Sequence, residues 1–429
     1  MAELAYTKSG RLLFTKEMKR TYTVLIPQML PVHFGMLAKC LEMDGLHIEM
    51  LNTTHRAIVD TGLKYVHNDT CYPALLVVGQ LIEALQSGAY DPHRTALMIT
   101  QTGGGCRASN YIHLLRKALE KADLAYVPVI SLNLSGLEKN PGFSLKLRTI
   151  LRMAMAMFYG DILCNLANQC RPYETEAGSA DALVTTWENR LLDSFTHRSF
   201  MRRRVYRENL RKIAADFSAI PMTEEHKPLV GVVGEIYVKF SSLGNNALER
   251  FLLAEGAEPV VPGLADFILF KVNNRVEDVS LYGGLWAKRL LAGALQRYLE
   301  GLQADLIAAI AAEPRFRAPE PFSVIKERVS GYLGYGNKMG EGWLLTAEML
   351  DLIHSGVNNI VCAQPFGCLP NHVAGKGMIR RLKDDYPQSN IVAVDYDPSA
   401  TRINQENRIK LMLSNADRMQ RRAERTEPT

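Results

Sequence analysis

Residues 71–133 of the chain read CYPALLVVGQLIEALQSGAYDPHRTALMITQTGGGCRASNYIHLLRKALEKADLAYVPVISLN. Within them, helical patterns after Cys71 and Asn110 alternate with two short apolar runs, TALMITQ and AYVPVISLN, that are strand-like. The same alternation begins at Tyr22 and resumes with PLVGVVGEIYV at residues 228–238, and the apolar run FILFKV (267–272) is one of its later segments. A long helical stretch is predicted between the two, from about residue 144 to residue 170. Alternation of this kind is typical of βαβ units. The sequence therefore predicts an α/β fold with two Rossmann-like, doubly wound parallel-sheet domains and helical bridging segments.

The domain boundaries follow from length and from changes in polarity. A chain of 429 residues is too long for one ordinary core, so two domains are expected. The polar stretch EEHKP at residues 224–228 marks the boundary between them. The predicted division is an N-terminal extension (1–21), an N-terminal α/β domain with a helical insertion (22–225), a C-terminal α/β domain (226–415) and a polar tail (416–429). Both ends are expected to be peripheral and to fray.

Composition excludes several classes of protein. Hydrophobic residues at 47% and charged residues at 22% are ordinary for globular domains, which excludes disorder. No uninterrupted apolar run reaches eighteen residues, and the N-terminus lacks a signal-peptide core. The net charge of +5 is modest for this length, and no nucleic-acid-binding motif accompanies it. We therefore expect a cytoplasmic protein that binds neither membrane nor nucleic acid.

Three of the seven cysteines, Cys71, Cys106 and Cys368, lie where a strand-like run gives way to a helix start. Unpaired N–H groups and the positive end of the helix dipole at such positions lower the pKa of a thiol and favour the thiolate that metals bind. The sequence therefore predicts a soft-metal site, iron with sulfide, at the mouth of the fold. Gly104 and Gly105 leave room for the backbone to approach a bulky anion, and with Asn110 they are the predicted cofactor-binding residues.

The loop around Cys106 also fits another class of protein. GGGCRAS matches the dinucleotide fingerprint G-x-G-x-x-A at Gly103, Gly105 and Ala108, which makes a nicotinamide enzyme an alternative. That fingerprint requires an acidic residue at the end of the next strand, where this chain has Ser131 and Asn133. The glycines are therefore better explained by a cluster or a phosphate.

The other candidate residues, three cysteines and one histidine, each have more than one interpretation. Cys362 is either a metal ligand or a core residue of the strand NNIVC, and His372 is either a proton donor or a surface histidine. Cys164 and Cys170 form a second C-x5-C pair, but six residues apart on one helix their side chains diverge, so a helix-core role is favoured for Cys164.

Six segments of the chain resemble the activase-related branch of the 2-hydroxyacyl-CoA dehydratase and double-cubane cluster protein superfamily: NDTCYPA, QTGGGCRASNY, RPYE, VGEIYVKF, QPFGCLPNHVAGKGMIRRLK and NIVAVDYDPSATRINQENRIKLM. The resemblance runs from about Tyr22 to about Met412. It implies an iron–sulfur cubane held by three cysteines, with Cys71 and Cys106 from the first domain and Cys368 or Cys362 from the second. It also implies an ATP-hydrolysing activase with its own cluster. Because the activase motifs are missing here, the activase is either a separate partner or a segment that is fused to this one in relatives.

These observations lead to one expected function and one alternative. The chain is expected to be the iron–sulfur component of an ATP-activated low-potential reductase or dehydratase, an enzyme acting on a small substrate such as a 2-hydroxyacyl-CoA thioester. A 4Fe–4S cluster is preferred over a bridged double cubane, which would also need Cys164 and Cys170. The alternative is a non-catalytic electron carrier or scaffold. A homodimer is one of the oligomeric states left open.

Overall fold

The computed structural model describes residues 2–67, 69–101, 104–133 and 138–426. Among them, eight strands form two parallel four-stranded sheets, and two short strands form an antiparallel pair. The mixed α/β architecture with two parallel sheets flanked by helices confirms that part of the prediction. The strands are β1 (Ala5–Tyr6), β2 (Leu12–Leu13), β3 (Thr23–Pro27), β4 (His47–Leu51), β5 (Thr95–Thr100), β6 (Val129–Leu132), β7 (Leu229–Gly234), β8 (Glu258–Val260), β9 (Asn359–Pro365) and β10 (Asn390–Tyr396).

Both sheets have the same strand order. The first is ordered β4-β3-β5-β6 and the second β8-β7-β9-β10, so in each the first strand of the sheet lies between the second and the third. All neighbouring pairs are parallel, with Val24 beside Ile48 in one sheet and Val232 beside Val361 in the other. In each sheet the second strand is added on one side of the first strand and the third strand on the other side. The order of the strands therefore reverses between β3 and β5 in the first sheet and between β7 and β9 in the second. Ligands of open parallel sheets bind beyond the carboxyl ends of strands at such a point.

Helices cover the sheets and form a further layer to which both halves of the chain contribute. They are α1 (Lys16–Thr21), α2 (Pro31–Glu42), α3 (Ala57–Tyr65), α4 (Tyr72–Gln86), α5 (Tyr111–Lys121), α6 (Leu147–Cys170), α7 (Ser179–Ser194), α8 (Arg203–Ser218), α9 (Ile236–Phe240), α10 (Ser242–Asn245), α11 (Leu248–Ala254), α12 (Leu264–Tyr282), α13 (Trp286–Ala311), α14 (Phe322–Arg328), α15 (Leu344–His354), α16 (Ile379–Asp385) and α17 (Arg402–Thr426).

Helix α3 was not expected, and it changes the position of Cys71 in the fold. Ile58, Val59 and Tyr65 follow a helical spacing and are buried where α3 packs against α4. Cys71 therefore follows a helix and a turn, not the strand-like run that the sequence predicted. It still begins a helix, since it is the residue immediately before α4.

Both ends of the chain contain secondary structure where the sequence predicted an extension and a tail. Phe14 and Met18 are fully buried in the core around β3 and β5, so the N-terminal segment is part of the first domain. At the other end α17 continues to Thr426, well into the predicted tail. The apolar run FILFKV, placed among the alternating runs of the second half, lies inside α12.

The largest core lies in the helical layer, to which both halves of the chain contribute. This layer consists of α2, α6, α7, α8, α12, α13 and α14. Its central helix, α6, covers the stretch predicted from residue 144 to 170 and has Tyr159, Ile162 and Leu166 fully buried. By length and composition α6 is apolar enough to cross a membrane, but 67% of its apolar window is buried inside the protein. It packs as the core helix of a bundle. Helix α6 contacts elements of both halves of the chain, among them α2 and β8.

Candidate functional site

Three loops that carry cysteines meet at the carboxyl ends of the two sheets. Cys106 follows β5, and Cys368 follows β9, the corresponding strand of the second sheet. Cys71 precedes α4, which is almost entirely buried in a core shared with residues of both sheets. The three cysteines are thus supplied by both halves of the chain, at the position where open parallel sheets bind ligands.

Cys71 and the Cys368 loop are in direct backbone contact. The amide of Tyr72 donates a hydrogen bond of 3.0 Å to the carbonyl of Phe366. Gly367, which has a φ of +73°, lies so close that a Cβ there would be 3.1 Å from the Cα of Cys71. A side chain at this position would be strained and crowded, so glycine is what allows the two loops to meet. The loop from the second sheet is therefore fixed against the start of α4.

Cys106 is joined to the same place from two sides. The guanidinium of Arg107 donates to the carbonyl of Asp69, two residues before Cys71. On the other side is Gly340, where a Cβ would lie 3.8 Å from the Cys106 sulfur and 3.0 Å from the ring of Pro370. Pro370 follows Cys368 by two residues. The loops of Cys71, Cys106 and Cys368 are thus held together by short contacts between their neighbours.

Four further side chains surround the cysteines, and their chemistry was not predicted. The hydroxyl of Tyr111 lies 2.9 Å from the Cys71 sulfur. Glu235 caps α9 by accepting from the amide of Val238 at 2.9 Å, and Glu341 accepts from the amide of Ile236 at 3.1 Å. The Lys271 ammonium on α12 donates to the carbonyl of Gly340. We call the three cysteines and these four side chains the cysteine cleft; its members are Cys71, Cys106, Cys368, Tyr111, Glu235, Glu341 and Lys271.

The titrating groups of the cysteine cleft act on one another. The charge of Glu235 disfavours ionisation of all three thiols, and Cys71 interacts with both other cysteines. Burial raises the pKa of Glu235, and the neighbouring charge of Glu341 raises it further. Burial also raises the pKa of Glu341, opposed by Lys271, whose own pKa burial lowers. Both carboxyls are therefore held toward their neutral forms in a water-poor cleft.

The expected lowering of the thiol pKa values is wrong for the protein without metal. Burial raises the pKa of Cys71 to about 11, although the Tyr111 hydroxyl and the amide of Ala74 lower it in part. Burial likewise raises the pKa values of Cys106 and Cys368. Desolvation outweighs the helix N-terminus because the thiols are enclosed, and Glu235 and Glu341 oppose thiol ionisation whenever they carry a charge. These thiols would ionise when a cation replaces their protons, which is how metals bind cysteine.

The other predicted residues lie at varying distances from this cleft. Cys362 is fully buried in β9, with its sulfur 3.6 Å from the Asn371 amide oxygen, among core residues of the second domain. This position favours the strand-core interpretation that the sequence left open. His372 is exposed; its ring contacts Gln364, and its amide donates to the carbonyl of Cys368 at 3.1 Å. Its predicted role as a proton donor stays a prediction.

The glycine loop is beside the cleft. Gly105 donates its amide to the sulfur of Met339 at 3.1 Å, and the carbonyl of Gly104 accepts from Ser109 at 3.1 Å. Asn110 is exposed and begins α5 without a side-chain hydrogen bond to its first turn. Gly103, which belongs to the alternative dinucleotide fingerprint, lies outside the described residues. The roles of Gly104, Gly105 and Asn110 in cofactor binding stay predictions.

The remaining cysteines lie in the helical layer. Cys170 and Cys40 are fully buried in its core, and burial raises the pKa of each thiol to about 12. Cys164 is half-buried on α6, three residues from Asp161. None of the three contributes to the electrostatic interactions that connect the cysteine cleft.

The cysteine cleft contains residue types that could hold a soft metal or an iron–sulfur cluster. Over the described ranges, no three His, Cys, Asp or Glu side chains are spaced to hold one ion. In a cubane each cysteine binds a different iron atom, so the sulfurs stand further apart than the ligands of one ion. Three soft thiols with a hydrogen-bond donor and a lysine nearby fit that chemistry.

Sequence comparison adds no further identification. Neither a model of a known protein family nor a curated protein matches this chain.

Proposed function

We propose that Cys71, Cys106 and Cys368 hold an iron–sulfur cluster, preferably 4Fe–4S, and that the protein is the cluster-bearing component of a low-potential reductase or dehydratase. The observation that supports this most strongly is the meeting of the three cysteine loops, through Gly367 and Gly340, at the carboxyl ends of both sheets. The resemblance to the 2-hydroxyacyl-CoA dehydratase superfamily supports the same three ligands and the Rossmann-like description of the two domains.

The side chains around the cysteines suit this role. A bound cluster would supply one-electron transfer to a substrate or to a partner. Tyr111 would keep its hydroxyl on the Cys71 sulfur, and hydrogen bonds to ligand sulfurs tune the reduction potential of such sites. Lys271 would offset part of the negative charge of the thiolates. Glu235 and Glu341, whose pKa values are raised, would add little negative charge when they are protonated.

The partners follow from the same proposal. A low-potential electron has to be delivered, and the chain lacks the phosphate-binding G-x-x-x-x-G-K-[ST] motif of common ATPases. We therefore infer that a separate ATP-dependent activase with its own cluster reduces this protein. The substrate class is small, with a 2-hydroxyacyl-CoA thioester as the leading candidate.

The ligand set can be tested by metal analysis of cysteine variants. Protein purified anaerobically, or reconstituted with iron and sulfide, should be brown and contain iron and acid-labile sulfide in equal amounts. Cys71→Ser, Cys106→Ser and Cys368→Ser should each lose most of both. Cys362→Ser is the matched control, because Cys362 is buried nearby but faces the core, and it should retain the cluster. A colourless, iron-free wild-type protein would end the proposal.

The catalytic role and the carrier role are separated by a second measurement. An iron atom that lacks a cysteine ligand can bind substrate, so candidate thioesters should perturb the EPR spectrum of the reduced protein if it is an enzyme component. A cluster that uses Cys362 as a fourth ligand would be closed and insensitive to substrates, which favours the electron carrier.

A further inference from the structure

A pair of antiparallel helices projects from the helical layer. Helices α12 and α13 pack against each other and are joined by residues 283–285, where Gly283 has a φ of +75° and Gly284 a φ of +140°. Both helices are anchored in the large core at their far ends, but no residue from 275 to 298 is buried, and the structure describes this whole stretch. Residues 275–282 alone span about 12 Å of helix. The outer part of the hairpin therefore stands clear of the core.

The end of this hairpin exposes six large apolar side chains. Trp286 is 67% exposed and Tyr282 is 66% exposed, and the four leucines range from 48% to 76%. We call these six residues the hairpin tip; its members are Leu281, Tyr282, Leu285, Trp286, Leu290 and Leu291. They present roughly 500 Å² of apolar surface, with about 200 Å² for a fully exposed aromatic side chain and about 100 Å² for a leucine. An apolar group of this size at one place is typical of an interaction site.

The hairpin tip is held in a fixed orientation by the loop of residues 336–343. Asp278 on α12 pairs with the ammonium of Lys338, which also lies over the ring of Tyr282, 5.0 Å from its centroid. A Cβ at Gly336 would lie 2.8 Å from the Tyr282 hydroxyl. The loop thus packs closely against the end of α12. A surface that is already ordered loses less entropy when a partner binds.

The apolar area of the hairpin tip matches one side of a protein interface. A standard-size interface buries about 800 Å² on each partner, of which about 56–65% is apolar. The apolar share is therefore about 450–520 Å² per partner, which is close to what the six side chains present. Tryptophan and tyrosine are also the residue types that contribute most binding energy at interfaces. This match favours a protein partner over a lipid surface.

A second copy of the same hairpin has the shape that would cover the tip. Two packed helices with an exposed apolar end are half of a four-helix bundle, and a second pair of the same length closes its core. Next to the leucines of α13 lies Gly293, where a Cβ would meet nothing within 4 Å. A helix of the second copy therefore has room to approach α13 closely at this position.

The charges of the hairpin are compatible with this arrangement. Residues 279–299 contain three basic residues, Lys288, Arg289 and Arg297, and no acidic residue. At about 100° per residue, Trp286, Leu290 and Leu291 lie within an arc of about 140° on α13, and Lys288 and Arg289 lie outside it. The two cations would thus stay at the rim of the contact. Like charges on the two copies repel, and salt screens that repulsion.

We propose that the hairpin tip is the contact surface between two copies of this chain, which pair about a twofold axis so that their α12–α13 hairpins form a four-helix bundle. In such a pair the same residues of both copies meet, so each substitution in the tip removes its side chain twice. The proposal does not depend on the cluster, because no residue of the tip belongs to the cysteine cleft. Metal-free and reconstituted protein should therefore pair equally.

The experiment measures the mass of the full-length protein by sedimentation equilibrium at micromolar concentrations, in about 0.05 M and about 0.5 M NaCl. Wild type should have about twice the 48.0 kDa of one chain. The pairing should be at least as tight at the higher salt concentration, because apolar burial persists while repulsion is screened. Trp286→Ala should raise the dissociation constant by about thirtyfold or more, as expected for an aromatic hot spot.

A matched pair of leucines locates the contact. Leu291 in the tip is 76% exposed, and Leu147 at the start of α6 is 71% exposed. Both leucines can be replaced without disturbing a core, so far-ultraviolet circular dichroism should show that Leu291→Glu and Leu147→Glu are folded. Leu291→Glu should be monomeric, because it buries a carboxylate in the contact, and Leu147→Glu should pair as wild type does.

Three results would overturn the proposal. The first is a wild-type protein that remains monomeric at both salt concentrations. The second is a Leu291→Glu variant that pairs as tightly as Leu147→Glu, which would place the contact elsewhere. The third is a monomeric wild type that binds vesicles of phosphatidylcholine and phosphatidylserine at low salt and is released at high salt, since the tip would then be occupied by an anionic lipid surface.

Discussion

The contact between Gly367 and Cys71 allows a quantitative test of how the two halves of the chain meet. Gly367→Ala would place a methyl group on a residue whose φ is +73°. The left-handed conformation costs an alanine roughly 1–2 kcal/mol. The new Cβ would also lie 3.1 Å from the Cα and 3.3 Å from the nitrogen of Cys71, so backbone must shift, and overpacking of this kind costs about 1–3 kcal/mol more. We expect a total loss of about 2–5 kcal/mol in the free energy of unfolding.

A second glycine separates the two contributions. Gly356 has a φ of +81°, but a Cβ there would meet nothing within 4 Å. Gly356→Ala should therefore lose only the roughly 1–2 kcal/mol of backbone strain. Both variants are compared with wild type by urea unfolding under matched conditions, and the iron content of the reconstituted proteins is measured in parallel. Gly367→Ala should lose more iron than Gly356→Ala, because the strained loop carries Cys368. Equal stability and equal iron in the two variants would refute the close packing of this loop on Cys71.

Three other consequences of the structure can be measured. Lys239→Met should destabilise the protein by about 3–5 kcal/mol in urea unfolding, because it leaves Glu348 buried without its partner at 2.9 Å. Tyr111→Phe should cost only about 1 kcal/mol of stability, but it should lower the reduction potential of the reconstituted protein, since it removes a hydrogen bond from the Cys71 sulfur. The buried His33 has its Nε2 2.9 Å from the carboxylate of Asp161, and its folded-state pKa is raised from 6.5 to about 10, so its contribution to stability is complete below pH 6.5 and is lost as the pH rises toward 10. Wild type should therefore lose more stability than His33→Gln between pH 6.5 and pH 9.5.

Controls give each of these measurements a clear negative outcome. Lys212→Met removes a lysine whose pair with Glu208 is exposed, so its unfolding midpoint should match that of wild type. A similar midpoint for Lys239→Met would show that the buried pair contributes little. An unchanged potential in Tyr111→Phe would remove the hydroxyl from the proposed centre. Parallel stability curves for wild type and His33→Gln would contradict the raised pKa of the histidine.

Local sequence patterns predicted much of the fold. Strands β3, β5, β7, β9 and β10 are short apolar runs bounded by turn residues, and periodicity alone identifies them. The long helix α6 was predicted to end at residue 170, which is where it ends. Helix α3 was missed because its segment is short and follows a strand closely. The run FILFKV was misplaced because a continuous apolar run fits a buried helix as well as a strand.

The candidate site was predictable only in part. The position of a cysteine at a helix start can be predicted from the local sequence. The position of Glu235, directly after β7 and at the start of α9, has the same local pattern but was not predicted to belong to the site. Lys271 and Glu341 have no such local pattern, since they lie in segments whose approach to the cleft depends on how the helical layer packs. The sign of the thiol pKa shifts was also beyond local reasoning. It depends on burial by distant residues and on the two carboxylates, neither of which can be read from the sequence around a cysteine.

The helical layer explains how these distant groups reach the cysteines. Residues 336–343 cross from that layer to the cleft, and at their end Trp343 is fully buried, edge-on to Phe270 with ring centroids 4.9 Å apart. The amide of Trp343 donates to the carbonyl of Asn337 at 2.7 Å, which closes the segment into a compact loop. Within this loop, a Cβ at Gly340 would lie 3.8 Å from the Cys106 sulfur and 3.0 Å from the ring of Pro370. The loop thus lies beside the loops of Cys106 and Cys368, while Trp343 at its end is buried in the core of the helical layer. A change at Trp343 should therefore disturb the cysteine cleft even though both sheets remain intact.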